Sequence, residues 1–160
     1  MRSAVLLASL LLFSIAVAWL SSPERYVEVG NRETGETYSA EEVSEGAPVR
    51  LSWTHSIEHT PWVEVYEVVG DRLELREARV KSFGAGVDQV APEVENRDGW
   101  VILSGTERTF PALHFFHSRE VDRELSVGGR DVELGGIPQY APVEVKVGQR
   151  PRVLLWLESL

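Results

Sequence analysis

The sequence predicts an all-β fold, an antiparallel β-sandwich or a partly closed barrel, with an N-terminal transmembrane or signal helix in front of it. Short segments along most of the chain alternate between apolar and polar residues, which is the pattern of half-buried strands. Glycine-containing turns separate several of them, and no long segment has the 3.6-residue period of an amphipathic helix. We therefore expect residues 1–22 to be a membrane or export segment and residues 23–160 to be one extracytoplasmic domain.

The N-terminal segment is an uncharged run from Ala4 to Leu20 that follows the cation Arg2. As a helix this run would be about 25 Å long, close to the roughly 30 Å thickness of a bilayer hydrocarbon core. Trp19 before a polar Ser-Ser-Pro sequence favours a retained single-pass anchor, whereas the Ala-Val-Ala that ends at Ala18 is typical of a signal-peptide cleavage site. The predicted location is the cell membrane, or the secreted state if the chain is cleaved near Ala18.

The strands predicted after this segment follow one another at regular spacing. In the stretch from Val49 to Glu58, the alternation places Trp53, His55 and Ile57 on one face. Trp53–Glu58 and Trp62–Val69 are expected to be antiparallel neighbours across a turn at Thr60–Pro61. The other predicted strands lie at Tyr26–Val29, Arg72–Val80, Trp100–Leu103, Glu124–Val127, Arg130–Leu134, Pro142–Val147 and Arg152–Leu157.

Turn residues and two exceptions complete this prediction. Gly70–Asp71 and Gly128–Gly129 are two-residue hairpin signals, and Asp98–Gly99 is a further turn. Within residues 23–160, Ser39–Val43 is the only segment where a helix is possible, because Ser39 is a suitable cap and a glutamate follows three residues later. The longest loop is expected between Asp88 and Arg97.

The composition excludes several classes of function. The 160 residues include 25 acidic and 16 basic side chains, which gives a net charge of -9 without any basic cluster. Nucleic acid is therefore not an expected partner. The chain has no cysteine, so that disulfides, thiolate zinc sites and cysteine nucleophiles are excluded.

Polar residues are concentrated in the stretch "WTHSIEHTPWVE", which spans Trp53 to Glu64. His55 and His59 have the four-residue spacing that binds a metal ion on a helix, but along a strand this spacing covers about 13 Å. Glu58 and Glu64 suggest either paired acid–base carboxylates or acceptors for the N–H groups of the turn. We expect the structural alternative, with no catalytic residue, no metal ligand and no cofactor.

A glycine loop, "SFGAGV", follows the predicted strand Arg72–Val80. It lacks the pattern of a nucleotide-binding loop, but its free N–H groups need acceptors. The imidazole of His55 also needs a partner if it faces inward. We therefore expect one shared site, which binds a ligand or a partner, built from His55, Ser56, Glu58, Thr60, Glu64, Ser82, Gly84 and Gly86.

The combination of motifs resembles a known family. The stretches "THSIEHTPWVEVYEV", "SFGAGV" and "DGWVILSG", followed by a Gly-Gly hairpin, are similar to the domain-of-unknown-function family 1850. Two positions depart from its pattern, since His59 stands where a lysine is usual and Trp62 where a small aliphatic residue is usual. The matching residues are His55, Ser56, Glu58, Thr60, Pro61, Glu64, Tyr66 and the run Ser82–Gly86.

The resemblance implies a role rather than a reaction. Proteins of this family are small, exported or membrane-anchored, and encoded beside TRAP solute transporters of the TAXI type. It implies an accessory protein that binds a partner or a small ligand, attached to the membrane through residues 4–20, with the transporter permease or its solute-binding protein as partner. Two alternatives stay open: a metal-dependent hydrolase that uses the histidines and glutamates, and a structural envelope protein without a ligand.

Overall fold

The computed structural model describes residues 14, 17, 19–21, 23–83, 91–151 and 153. These residues form an all-β fold, as predicted, with eleven strands in the described part of the chain. The strands are β1 (Pro23–Asn31), β2 (Thr37–Glu42), β3 (Pro48–Thr54), β4 (Pro61–Val69), β5 (Arg72–Val80), β6 (Glu93–Arg97), β7 (Trp100–Phe110), β8 (Ala112–Phe116), β9 (Glu124–Val127), β10 (Arg130–Val132) and β11 (Pro142–Pro151).

The strands are arranged in two antiparallel sheets. The smaller sheet has the order β2-β1-β11-β8, and the larger one has the order β10-β9-β3-β4-β5-β7-β6. Within the smaller sheet, β1 and β11 pair along their full length, from Pro23 opposite Pro151 to Asn31 opposite Val143. The described strands do not form a closed barrel, because each sheet keeps two open edges.

The two sheets share one hydrophobic core. Alternation along β1 and β11 turns Val27, Val29 and Val145 inward, and all three are fully buried. From the larger sheet, Val49 and Leu73 enter the same cluster. Burying a side chain of this size stabilises the fold by about 1.5–3 kcal/mol relative to leaving it exposed, so this shared core is what holds the sheets together.

A second, smaller cluster lies further along the larger sheet. It consists of Ala78 and Val80 of β5 with Val101 and Leu103 of β7, and Trp62 packs against it. Glu64 lies opposite Ala78 in the β4–β5 register, and Tyr66 of the main core follows two residues later. Glu64 therefore lies where the two hydrophobic clusters meet.

Three of the tight turns have the backbone that hairpins require. Gly128 and Gly129 both have positive φ, 58° and 80°, and so do Asp98 and Gly99, at 52° and 73°. Gly70, with φ of 62°, occupies the first position of the turn between β4 and β5. Such turns match the right-handed twist of the flanking strands, which confirms these residues as hairpin positions.

Two sequence predictions were wrong in this part of the fold. The possible helix at Ser39–Val43 is instead strand β2, in which Ser39 pairs with Val29 of β1, so that strand pairing overrides the local capping signal. The predicted loop at Asp88–Arg97 contains strand β6, which pairs with β7 across the Asp98–Gly99 turn. The first three residues of that loop, 88–90, lie outside the described residues.

Two further predictions fall mainly on residues that the structure does not describe. The anchor or signal segment at residues 4–20 is one of them, and the strand expected at Arg152–Leu157 is the other. In the described ranges, no helix has the length and apolar character needed to cross a membrane.

Candidate functional site

The polar stretch forms a sharp corner between β3 and β4. The two strands pair as predicted, with Trp53 opposite Trp62, but β3 ends at Thr54. A turn follows, closed by hydrogen bonds from the His55 amide to the Thr60 carbonyl (2.8 Å) and from the His59 amide to the His55 carbonyl (2.9 Å). The strand cannot continue through this turn because His59 has a left-handed backbone, with φ of 52°.

The early end of β3 corrects the predicted alternation beyond Trp53. Ile57, expected on the inward face, lies in the turn and is 71% exposed. Ser56, a predicted site residue, is also exposed there. The predicted inward face therefore continues only as far as the ring of His55, which is half-buried.

The imidazole of His55 completes an aromatic stack. Its ring lies 5.5 Å from that of Trp62, which in turn lies 5.6 Å from the ring of Trp53, and both pairs are nearly parallel. Nδ1 of His55 accepts a hydrogen bond from the Glu58 amide at 3.3 Å. At this amide of the turn, the acceptor is thus an imidazole and not one of the expected carboxylates. The stack and this bond fix the ring against the corner.

Glu58 connects the corner to the start of the glycine loop. Its Oε2 accepts a hydrogen bond from Oγ of Ser82 at 3.1 Å, although the two residues are 24 positions apart. The predicted site residues Gly84 and Gly86 lie outside the described residues. Within the described part of the chain, the structure thus brings the two motifs together at Glu58 and Ser82.

Glu64 faces the interior of the domain. It is half-buried, and its two oxygens accept hydrogen bonds from Trp62 Nε1 at 3.2 Å and from the Tyr66 hydroxyl at 2.6 Å. The period of two along β4 places these three side chains on one face. Burial, followed by the negative charge and the hydrogen bond of Glu64, raises the pKa of Tyr66 above its usual range, so the phenol keeps its proton and remains a donor to Glu64.

Two cavities adjoin Glu64, and both also adjoin Tyr66 and Phe110. The rings of Tyr66 and Phe110 meet edge to face at 5.9 Å between the cavities. The smaller cavity, of about 250 Å³, lies over the second hydrophobic cluster. The larger one, of about 430 Å³, lies between β3, β4 and β8, and we call it the Glu64 cavity; its lining includes Leu51, Trp53, Leu113, His114, Phe115 and Arg123.

The chain matches the model of one protein family. The model of the family described as Domain of unknown function (DUF1850) matches residues 49–134, which is more than half of the chain. The chain belongs to this family. Neither a curated protein nor a solved structure matches it. The matched region of the DUF1850 domain includes the corner, the start of the glycine loop and the lining residues of the Glu64 cavity, so the family predicted from the motifs is confirmed.

Arg123 of the DUF1850 domain is a site residue that sequence reasoning did not identify. Its Nη1 donates to the carbonyl of Phe116 at 2.8 Å, and its guanidinium lies 4.1 Å from the ring of Phe115 and 5.9 Å from that of Trp53. The residue precedes β9 and reaches the cavity only through the tertiary fold. No motif signals it, because an arginine before a strand is an ordinary surface pattern.

His117, also within the DUF1850 domain, borders a third cavity of about 480 Å³ together with Arg123. Its side chain is 4% exposed, and neither ring nitrogen has a hydrogen-bond partner among the described residues. Burial, followed by the positive charges of Arg123 and Arg119, lowers the pKa of His117, so the ring is held in its neutral form.

The histidines of the domain are not assembled into one cluster. His114 is exposed and its Nε2 lies 3.1 Å from Glu144 of β11, whereas His117 is buried and His55 is part of the corner. Among the described residues, no group of three or more histidine, aspartate or glutamate side chains could hold a metal ion.

Proposed function

We propose that this chain is a membrane-anchored extracytoplasmic accessory protein of a TAXI-type TRAP solute transporter, and that it acts by binding a small ligand in the Glu64 cavity. The ligand-binding part of the proposal is carried by one observation, the half-buried Glu64 carboxylate on the inner face of β4. The transporter part rests on family membership and on the genomic setting that the resemblance implies.

A carboxylate at this position needs a reason, because burying a charge costs free energy unless it is paired. Trp62 and Tyr66 each donate one hydrogen bond to Glu64. An ionised carboxylate has about four acceptor sites, so that about two remain for another donor. Aromatic walls around a few fixed polar groups are the usual composition of a small-molecule site. Together these features support a ligand that donates to Glu64.

The ligand-binding part can be tested with the full-length protein in detergent. Wild-type protein and two variants, Glu64→Gln and Glu67→Gln, are each dialysed against a metabolite extract, and the retained small molecules are identified by mass spectrometry. Glu67 is the matched control because it lies on the same strand and pairs with Arg76 on the outer surface. We expect wild type and Glu67→Gln to retain a compound that Glu64→Gln loses. Equal retention by all three proteins would refute a ligand at Glu64.

The transporter part needs a separate experiment. Photo-crosslinkers placed at the exposed residues Ile57 and Phe83, beside the corner, are expressed in the native host. Membrane fractions are then examined for crosslinked proteins. We expect the permease or the solute-binding protein of a TRAP transporter among the products. Crosslinks to unrelated envelope proteins alone would contradict the assignment.

A further inference from the structure

Two opposite charges face the Glu64 cavity without neutralising each other. Glu64 and Arg123 both line it, yet no ion pair within 4.0 Å joins them or links either one to another described residue. Three other arginines of the protein differ in this respect, since Arg25, Arg76 and Arg150 each have a glutamate within 3.1 Å. His114 also lines the cavity, and its Nε2 lies within hydrogen-bond distance of Glu144.

Arg123 is held in place with part of its hydrogen-bonding capacity unused. The Phe116 carbonyl and the Phe115 ring fix the guanidinium, while its buried Nε has no acceptor in the part of the chain that the structure describes. Arg123 is half-buried, and because burial disfavours the charged form it lowers the pKa of the guanidinium. An anion at this position would offset that cost and accept from the planar fork.

A row of aromatic side chains, which forms an apolar wall, runs from one charge to the other. Trp53 lies 5.9 Å from the Arg123 guanidinium and stacks on Trp62, whose Nε1 donates to Glu64. Phe110 and Phe115 line the same cavity. A ligand lying against this wall would therefore meet a cation at one end and a carboxylate at the other.

We propose that the Glu64 cavity binds a small zwitterion, an α-amino acid, with the ligand carboxylate on Arg123 and its ammonium group at Glu64. This inference rests on the proposed function, because it names the ligand class of the same site. The volume of about 430 Å³ lies within the range of small-molecule pockets. An ammonium group would also gain from the faces of the aromatic wall.

The first test compares matched ligands on the full-length protein in detergent. The common L-amino acids are screened by the shift in melting temperature. The best binder is then compared by calorimetry with the amine that lacks its carboxylate and the acid that lacks its amino group. We expect the zwitterion to bind about 10- to 100-fold more tightly than either analogue, since each loses one charged hydrogen-bonded contact. If either analogue bound as tightly as the zwitterion, the proposal that the site recognises both charges would be wrong.

The second test assigns each charge to its residue. Arg123→Gln should lose the preference for the zwitterion over the amine, and Glu64→Gln should lose the preference for the zwitterion over the acid. Arg119→Gln, an exposed neighbour of the third cavity, is the control and should keep both preferences. Because Arg123 also bonds Phe116, Arg123→Lys is included; it keeps the charge without the planar fork and should retain part of the affinity. If Arg123→Gln and Glu64→Gln both kept the wild-type preferences, the assignment of the two charges to these residues would be refuted.

The outcomes separate this inference from the proposed function. If no zwitterion raises the melting temperature but Glu64→Gln still loses a compound retained from the metabolite extract, the ligand class is wrong and ligand binding stands. If wild-type protein retains nothing and no zwitterion binds, both proposals fail.

Discussion

Individual polar groups inside this domain differ in whether the fold supplies their partners. His55 has a ring stacked against it and a backbone donor at Nδ1, both supplied by the fold. His117 is more deeply buried, and among the described residues its ring nitrogens have no hydrogen-bond partner. Polar groups of the first kind hold a structure together, whereas those of the second kind reduce its stability unless something binds them. Two substitutions separate these roles.

We expect His55→Ala to lower the free energy of unfolding by about 1–3 kcal/mol. The substitution removes the stacking contact with Trp62 and leaves the Glu58 amide without its acceptor. Urea denaturation followed by tryptophan fluorescence measures this loss. His59→Asn is the control, because asparagine tolerates the left-handed backbone there, and a change below about 0.5 kcal/mol is expected. A loss at His59 as large as that at His55 would show that the stack is not what matters.

The lowered pKa of His117 predicts how stability changes with pH. In the folded chain the ring takes up a proton at lower pH than in the unfolded chain, whose histidines titrate near about 6.5. Below that pH the unfolded state binds more protons, so the free energy of unfolding falls as the pH drops, until the folded-state pKa is passed. Glu144 contributes in a separate, more acidic range, because hydrogen bonds from Lys146 and His114 lower its pKa. Denaturation curves between about pH 7.5 and pH 5 measure the slope.

The same pH series on His117→Gln should give a flatter dependence than that of the wild type. A slope that survives the removal of His117 would assign the effect to other groups.

Among the elements, local sequence decided the structure of the hairpins, but it did not decide the structure of segments that depend on tertiary contacts. Gly128–Gly129 and Asp98–Gly99 could be predicted because their residue types tolerate the positive φ that the turns require. The segment at Ser39–Val43 could not, because its strand state depends on pairing with β1, which the local sequence does not encode. The end of β3 was also missed, since the left-handed backbone of His59 follows from closure of the corner.

We expect Gly129→Ala to destabilise the β9–β10 hairpin and to lower the free energy of unfolding by about 1–2 kcal/mol. Its φ of 80° is strained for any residue with a Cβ atom. Gly136→Ala is the matched control, because φ is not positive there and the space around it is open, so no loss or a small gain is expected. Thermal unfolding measured by circular dichroism compares the two. Similar losses at both positions would argue against a turn-specific effect.

At the scale of the whole molecule, the sequence predicts only part of the candidate site. Glu58 and Glu64 were found because they lie in one conspicuous motif, and Ser82 because it begins another. Arg123 and Phe110 come from segments that are distant from Glu64 in the sequence, and they line the same cavity only in the folded chain. The local pattern thus indicated one side of the cavity, while the opposite side depends on tertiary contacts.

The net charge of -9 predicts a response to salt. Repulsion among the excess carboxylates destabilises the compact state, and raising the salt from about 0.02 M to about 0.5 M shortens the screening length severalfold. Exposed ion pairs such as Arg76–Glu67 weaken at the same time, but each contributes only about 0–1 kcal/mol. We expect the melting temperature to rise by a few degrees over this range, measured by differential scanning calorimetry.

A variant with Glu33→Lys and Glu120→Lys, both in exposed turns, should respond less to salt because its net charge is smaller. If salt lowered the melting temperature of the wild type, attraction between surface pairs would outweigh the repulsion.

The pairing of β1 with β11 has a mechanical consequence. Pro23 at the start of β1 lies opposite Pro151 at the end of β11, so a force that pulls these two points apart acts across the ladder of hydrogen bonds. The hydrogen bonds between the two strands then break one after another from that end, rather than all at once. Pulling between Pro23 and Pro142 would instead load the same ladder in shear, along the strands. The domain should therefore unfold at low force when tension is applied between Pro23 and Pro151, and it should resist tension applied between Pro23 and Pro142.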